Sequence, residues 1–165
     1  LARARATVAA PRPTVTAASA PAPDAPPSPV PGRRPDGQGA LEVVLAEDSL
    51  ATREVLRVLL EQQGFRVRLA ADGEEALARI GERLPDVLVS DVNMPRRDGL
   101  SLARELRRRS ASARLPIVLL TSQDDEATRA AGASAGADAY LVKSRFNAGV
   151  LLETLARIGV GVGSP

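Results

Sequence analysis

The chain has 165 residues, 44% of them hydrophobic and 2% aromatic, with a formal net charge of +2, which fits one domain of ordinary size with an appendage. The absence of cysteine and histidine excludes disulfides, thiol nucleophiles, zinc sites of the Cys/His type and triads that use imidazole as their base. Because no apolar run approaches the ~20 residues of a membrane span, we expect a cytoplasmic protein with no membrane partner.

The first forty residues differ in composition from the rest. They hold nine of the 13 prolines, five arginines and two aspartates, and no aromatic residue, so they cannot bury enough apolar surface to offset the entropy of ordering. We predict that residues 1–40 form a disordered, Pro/Ala-rich interdomain linker; a transit peptide is a weaker interpretation of the Arg-rich start.

The chain starts at Leu1 rather than methionine, and we expect a piece of a longer chain or a processed product. Residues 41–165 carry 17 basic and 18 acidic groups, so their charge predicts no nucleic-acid binding.

Beyond residue 40, five short apolar runs alternate with five stretches of helical spacing. Each run is almost continuously hydrophobic, which is typical of parallel strands buried on both faces. Five such βα units joined by short loops predict a doubly wound α/β domain with right-handed crossovers over residues 41–160, followed by a flexible tail at 161–165. The predicted strands are Leu41–Ala46, Phe65–Ala70, Asp86–Ser90, Leu115–Leu120 and Ala139–Val142.

Residues beside the helical stretches predict where the helices start and stop. Ser49 is a suitable N-cap for the first helix and Gly64 a suitable C-cap. Asp72 is a candidate N-cap for the second helix, within an otherwise ordinary turn after the second strand. We expect the last helix at about residues 146–158.

Polar side chains that can carry chemistry follow four of the five predicted strands. The carboxyl ends of parallel strands meet at one rim of the sheet, and functional groups gather there beside the point where the strand order reverses. We therefore expect one site at this rim, made from Glu47 and Asp48 after the first strand, Asp91 and Asn93 after the third, Thr121 after the fourth and Lys143 after the fifth.

Three converging carboxylates would repel one another unless one became protonated or a cation joined them. Mg²⁺ prefers hard oxygen ligands and can neutralise a phosphoryl group, so the set predicts a magnesium site. Asp91 stands on the middle strand and is our candidate nucleophile for an acyl phosphate, with Thr121 and Lys143 meeting the remaining phosphoryl oxygens. Lys143 is the sole lysine among 22 basic residues, which favours a geometric demand for a compact ammonium over chance.

Four motifs together resemble the CheY-like receiver domains of two-component response regulators: LAEDS (45–49), VSDVNMPRRDGL (89–100), LLTS (119–122) and DAYLVKS (138–144). The resemblance covers about residues 41–158. It implies a flavodoxin-like (βα)5 fold whose five-stranded parallel sheet has the order 2-1-3-4-5, for which CheY is itself the reference example.

The resemblance also implies roles for the acidic residues. Asp91 is similar to the phosphoacceptor aspartate. Asp48, Asp91 and the backbone carbonyl of Asn93 are similar to the direct Mg²⁺ ligands, and Glu47 would act on the metal through water. Asn93 also occupies the position that influences how fast the acyl phosphate hydrolyses.

The remaining residues of the resemblance belong to a switch. Thr121 is similar to the switch hydroxyl, Tyr140 to the aromatic rotamer switch, and Lys143 to the lysine that bonds the phosphoryl oxygen. Phosphorylation from a kinase phosphohistidine would draw Thr121 inward and change the surface of the fourth helix, fifth strand and fifth helix, where a protein partner would bind. Such a receiver is no conventional enzyme, because it catalyses its own phosphorylation and dephosphorylation.

One departure concerns the residue after Lys143. Many receivers have a proline there, after a cis peptide bond, whereas this chain has Ser144. A cis bond before another residue costs about 3–4 kcal/mol, so we expect this loop to be trans or strained. The stretch KSRFN (143–147) most resembles the C-terminal receiver of CheA-type (Frz-type) hybrid chemotaxis or motility kinases, which would place the histidine kinase or phosphotransfer domain in the same full-length chain.

Other functions stay open from the residues. The domain could be a docking module that works without phosphorylation, or a stand-alone CheY-like regulator. A haloacid-dehalogenase-like phosphohydrolase also uses an aspartate nucleophile and Mg²⁺, but here Asn93 stands where that family has a second aspartate. We interpret the arginine-rich run at 103–110 as a solvated helix face rather than a docking site.

Overall fold

Five parallel strands alternate with five α-helices in the part of the chain that a computed structural model describes, namely Gly32, Arg34 and residues 39–161. The sheet order is β2-β1-β3-β4-β5 and every neighbouring pair is parallel, which confirms the predicted flavodoxin-like fold. The strands are β1 (Glu42–Ala46), β2 (Arg66–Ala70), β3 (Val87–Asp91), β4 (Ile117–Thr121) and β5 (Ala139–Val142). The helices are α1 (Leu50–Gln62), α2 (Gly73–Glu82), α3 (Gly99–Arg108), α4 (Glu126–Ala135) and α5 (Ala148–Arg157).

The central strands β1, β3 and β4 are buried on both faces, which explains their nearly continuous hydrophobic residues, whereas the edge strands β2 and β5 are mostly half-buried. Val44 and Leu88 belong to the core shared with α2, α3 and α4. Their strand neighbours Leu45 and Val89 belong to the core shared with α1 and α5, because successive side chains of a strand point to opposite faces. The helices cover the two faces and leave the carboxyl ends of the strands free for a site.

Side chains cap the helices where the sequence predicts it. Ser49 and Asp72 each accept a hydrogen bond from the backbone N–H three residues further on, at 3.4 and 2.9 Å, so both predicted N-caps are confirmed. The C-cap of α1 is Gln63 rather than Gly64. Gly64 follows it with a φ of 86°, a left-handed conformation that suits glycine just after a helix.

The last helix starts later than predicted. Lys143–Arg145 forms a 3-10 turn, and Asn147 caps α5 by accepting a hydrogen bond from the Val150 N–H at 3.0 Å. The predicted start at residue 146 therefore falls in the loop before the cap. No peptide bond among the described residues is cis, so the bond between Lys143 and Ser144 is trans.

Arg107 joins the end of α3 to the neighbouring ends of α4, β4 and β5. Its guanidinium donates hydrogen bonds to the carbonyls of Gly136 and Leu115, at 2.9 and 2.7 Å, and to the Asp138 carboxylate at 2.8 Å. Asp138 also accepts a hydrogen bond from the Ile117 N–H at 2.8 Å. One arginine of the run that we interpreted as solvated is thus bound within the domain.

Two described residues of the predicted linker contact the domain. Gly32 donates its N–H to the Gln63 carbonyl at 2.5 Å and accepts a hydrogen bond from the Leu41 N–H at 2.6 Å. Arg34 forms an ion pair of 2.9 Å with Asp86. These contacts lie at the end of the sheet where the strands begin, opposite the carboxyl ends.

Two parts of the predicted ends lie outside the described residues. They are residues 1–31, 33 and 35–38 of the predicted linker and residues 162–165 of the predicted tail. Within the described part of the chain, none of the helices has the length and apolar character required to cross a bilayer.

Candidate functional site

The carboxylates of Glu47, Asp48 and Asp91 converge at the carboxyl ends of β1 and β3. One oxygen of each lies within 4.8 Å of the others. Ala46 and Ser90 are paired in the ladder between the two strands, so Glu47 and Asp91, which follow them, lie side by side at this rim. The structure thus brings together the three carboxylates that we expected from the strand ends.

Lys143 reaches the same place from the end of β5. Its Nζ lies 2.7 Å from Glu47 Oε2 and 2.9 Å from Asp91 Oδ2. The side chains of Glu47 and Asp91 are 1% and 7% exposed, whereas Asp48 is exposed to solvent. One ammonium group therefore compensates two buried carboxylates.

Burial and charge act on the pKa values of this cluster in opposite directions. Burial raises the pKa of Glu47, and the hydrogen bond from Lys143 offsets part of that rise. Burial by itself would lower the pKa of Lys143, but its hydrogen bonds to Glu47 and Asp91 outweigh this effect and raise the pKa. The lysine is therefore firmly cationic at neutral pH, as a partner for phosphoryl oxygens must be.

Each buried carboxylate uses one oxygen for the backbone and the other for the lysine. Glu47 Oε1 accepts a hydrogen bond from the Ser49 N–H at 3.1 Å, and Asp91 Oδ1 accepts one from the Asn93 N–H at 3.3 Å. Arg53, which sequence analysis did not single out, donates to the Glu47 carbonyl at 2.9 Å. The hydrogen bonds from Ser49, Asn93 and Lys143 fix the direction of both carboxylates, and Arg53 anchors the backbone of Glu47.

Thr121 ends β4 with a fully buried side chain. The ladder between β3 and β4 pairs Asp91 with Leu120, so Thr121 lies one residue beyond this pair, at the same rim. Its Oγ1 accepts a hydrogen bond from the Gln123 N–H at 3.1 Å, and the Gln123 carbonyl accepts one from the Tyr140 hydroxyl at 3.4 Å. The backbone of Gln123 therefore joins the two predicted switch residues.

The donor set of this cluster fits a hard divalent cation. Carboxylate and carbonyl oxygens are the ligands that Mg²⁺ prefers, and Mg²⁺ usually keeps several waters. Glu47 and Asp91 are buried, and Asp48 is open to solvent on the same side. An ion held by these oxygens would lie beside the Asp91 carboxylate.

A second ion pair lies next to the site, at a turn that sequence analysis treated as ordinary. Asp72, which is 1% exposed, pairs with Arg96 in the loop after β3. Arg96 has a φ of 63°, a left-handed conformation that is uncommon outside glycine. No local signal in the sequence indicates this pair, because its members come from two different loops.

Comparison with known proteins places this geometry in a family. Residues 43–156 match the model of the response regulator receiver domain. Over 118 residues the chain is 46% identical to Response regulator MprA of Mycobacterium leprae, an alignment that covers 72% of this chain and 49% of that protein. It is 39% identical over 118 residues to the Gliding motility regulatory protein of Myxococcus xanthus, covering 72% of this chain and 15% of that protein. The chain thus spans about half of the first relative and a smaller part of the second.

Solved structures agree with this assignment. The Vibrio cholerae chemotaxis protein CheY4 is 36% identical with a TM-score of 0.67, covering 72% of this chain and 98% of that chain. The signal receiver domain of a signal transduction histidine kinase from Syntrophus aciditrophicus is 31% identical with a TM-score of 0.67, covering 76% and 95%. Fold and sequence define a CheY-like phosphoacceptor module of two-component signalling. The chain belongs to the response regulator receiver domain family.

Proposed function

We propose that the domain accepts a phosphoryl group on Asp91 from the phosphohistidine of a kinase or phosphotransfer domain. The observation that carries this proposal is the position of Lys143, whose Nζ lies 2.9 Å from Asp91 Oδ2. A cation held at this distance from a buried carboxylate is suited to neutralise charge that develops on a transferred group.

Mg²⁺ is the proposed cofactor, held by Asp48, Asp91 and the carbonyl of Asn93, with Glu47 acting through water. When bound, it would neutralise phosphoryl oxygens. An Asp91 oxygen attacks phosphorus, the P–N bond of the donor phosphohistidine breaks, and an acyl phosphate forms on Asp91. Lys143 then shifts its hydrogen bond to a phosphoryl oxygen.

Thr121 and Tyr140 are the proposed switch. The Thr121 hydroxyl turns toward the phosphoryl group and gives up its hydrogen bond from the Gln123 N–H, which is 3.1 Å long in the unphosphorylated protein. This moves the Gln123 carbonyl that accepts from Tyr140. The surface formed by α4, β5 and α5 then changes its affinity for a protein partner.

The first helix supports a protein as the phosphoryl donor. α1 starts directly after the acidic pair and exposes the side chains of Leu50, Val55 and Val58, at 65%, 60% and 40%. Exposed aliphatic residues beside a reactive carboxylate suit the apolar face of a helical donor. A small-molecule donor would gain nothing from them.

The larger context that we propose is a CheA-type hybrid chemotaxis or motility kinase that works in the cytoplasm, where its ATP is. The similarity to a gliding motility protein of which this chain spans 15% supports it. So does the similarity to a receiver domain from a histidine kinase. Transfer from a purified phosphotransfer domain that is faster than transfer from acetyl phosphate would support a dedicated partner.

Acetyl phosphate tests whether Asp91 accepts a phosphoryl group, and beryllofluoride tests whether the same site binds a mimic of that group. With Mg²⁺, we expect the intact protein to gain the mass of one phosphoryl group on Asp91, and Asp91→Asn to gain none. Asp124→Asn, a change in the loop after β4, is the matched control and should be labelled normally. A label that persists in Asp91→Asn, or an unlabelled native protein, contradicts the proposal.

Mg²⁺ titration separates the alternatives. If neither the native protein nor Asp48→Ala binds Mg²⁺, the domain is a docking module that works without phosphorylation. Sustained turnover of a phosphomonoester would instead indicate a phosphohydrolase. The receiver proposal expects Mg²⁺ binding that Asp48→Ala weakens, without sustained turnover.

A further inference from the structure

The loop between β3 and α3 connects the candidate phosphoacceptor to the rest of the domain. It starts directly after Asp91 and contains Asn93, whose backbone N–H donates to Asp91 Oδ1 at 3.3 Å. Further along the loop, the chain turns back at Arg96, and the Arg97 N–H donates to the Pro95 carbonyl at 2.7 Å. Arg96 has a φ of 63°. An L-residue with a side chain avoids this conformation unless surrounding contacts hold it.

The N-terminus of α2 supplies those contacts. Arg96 forms an ion pair with Asp72, and Arg97 forms one of 2.6 Å with Glu74. Between them, the Gly73 N–H donates to the Arg97 carbonyl at 3.1 Å. A Cβ at Gly73 would lie 2.3 Å from that carbonyl oxygen, so the close approach of the two loops requires glycine.

Asp72 links the two loops because its two oxygens have different partners. Oδ1 accepts the capping hydrogen bond from the Glu75 N–H at 2.9 Å, and Oδ2 pairs with Arg96. The Asp72 side chain is 1% exposed while that of Arg96 is 67% exposed. The start of α2 therefore fixes the buried Asp72 carboxylate, and this carboxylate in turn holds Arg96 of the loop.

We propose that Asp72 and Arg96 are positioning residues for the Mg²⁺ and phosphoryl site. Their ion pair holds the loop in the strained conformation that places the Asn93 backbone beside Asp91. Neither residue touches the reacting atoms. This inference rests on the proposed function, in which the Asn93 carbonyl is a metal ligand.

The variants separate the ion pair from the cap and from the backbone. Asp72→Asn keeps an oxygen that can cap α2 and removes the charge that faces Arg96. Arg96→Asn keeps a residue that tolerates positive φ and removes the guanidinium, whereas Arg96→Lys keeps the charge. Arg104→Asn, at an exposed arginine of α3, is the matched control.

The measurements are Mg²⁺ affinity by calorimetry, the half-life of the phosphoryl group, and thermal unfolding. Partners one shell outside a metal typically change its affinity by about 10-fold or more; because Arg96 is largely exposed, we expect about threefold weaker Mg²⁺ binding for Asp72→Asn and for Arg96→Asn. The phosphoryl half-life should change by a similar factor. The double variant Asp72→Asn/Arg96→Asn should differ from the native protein no more than either single variant does. Arg96→Lys and Arg104→Asn should match the native protein in Mg²⁺ affinity and in phosphoryl half-life.

Native Mg²⁺ affinity in both single variants, or effects that add in the double variant, would overturn the inference and leave the proposed function intact. A native protein that neither binds Mg²⁺ nor takes a phosphoryl group would overturn the proposed function instead. In that case the hydrogen-exchange rate of the Asn93 amide in the metal-free variants still tests whether the ion pair between Asp72 and Arg96 positions the loop. Unchanged exchange would show that the ion pair does not position this loop.

Discussion

Lys143 Nζ lies 2.9 Å from Asp91 Oδ2, although 52 positions separate the two residues in the chain. The same ammonium lies 2.7 Å from Glu47 Oε2. It thus compensates the negative charge that a divalent ion at these carboxylates would also compensate. A metal ion bound here would act on the same buried charge as the lysine, and this has a measurable consequence.

Replacing Lys143 by methionine should make the domain depend more on Mg²⁺. Glu47 and Asp91 would remain buried without their cation, which lowers the stability of the metal-free protein. Thermal unfolding with and without MgCl₂ should show a lower Tm for Lys143→Met and a larger gain on adding the ion. Arg145→Met, which removes a charge from a 74% exposed side chain, should gain as much as the native protein. An equal gain for Lys143→Met would contradict the prediction.

Replacing Arg107 by methionine should destabilise the whole domain. Its guanidinium holds carbonyls at the ends of α4 and β4 as well as the Asp138 carboxylate, and these acceptors would lose a charged donor. Such bonds contribute about 1.5–3 kcal/mol each to stability, and we expect a loss on the order of 3 kcal/mol in urea unfolding. Arg108→Met, at an exposed neighbour, should change the free energy of unfolding by less than about 0.5 kcal/mol. Comparable losses in both variants would refute a special role for Arg107.

Replacing Gly132 by alanine should disturb Tyr140 without unfolding α4. The added Cβ would lie 3.2 Å from Tyr140 Cδ2, which crowds the ring, while the helix gains about 0.5–1 kcal/mol from the loss of a glycine. Because Tyr140 is the sole tyrosine, a fluorotyrosine label gives one fluorine resonance, and we expect it to shift.

Gly81→Ala is the control for this experiment. A Cβ at Gly81 meets no heavy atom within 4 Å, so this variant should become more stable with an unshifted fluorine resonance. An unshifted fluorine resonance in Gly132→Ala would show that the Tyr140 ring does not require glycine at position 132.

The contribution of Glu75 to stability should depend on pH. The hydrogen bond from the Ala71 N–H, followed by that from Arg79, lowers the pKa of Glu75. A lowered pKa in the folded state means that the stabilisation is complete above the unfolded value of about 4.3. It is lost as the pH falls through the folded value. The stability difference between the native protein and Glu75→Gln should therefore be largest near neutral pH and shrink in acid.

Urea unfolding at several pH values measures this difference. Glu153→Gln, at an exposed glutamate of α5, serves as the comparison. A difference for Glu75→Gln that stays constant from neutral pH to about pH 3 would rule out the ionic contribution.

The sheet could be predicted because its strands carry a simple signal. Continuous apolar runs indicate buried parallel strands, and five runs are found within a residue or two of their predicted positions. The largest error is at β4, which we expected to start at Leu115. Pro116 has no N–H for the ladder, and the ordered strand starts at Ile117.

The convergence of the acidic residues and Lys143 could also be predicted, because parallel strands deliver their carboxyl ends to one rim. The contacts that hold the site could not. Arg107 and Arg96 bind groups from other loops, and a run of arginines gives no sign of which member will form such contacts. Their partners depend on how loops fold back, which periodicity does not encode.

The contacts of Gly32 and Arg34 at the start of the strands have a consequence for signalling. Whatever precedes the receiver is attached at one pole of the domain, and the aspartate lies at the other. The described residues of this attachment, Gly32 and Arg34, therefore leave the approach to the Asp91 carboxylate open to a phosphoryl donor.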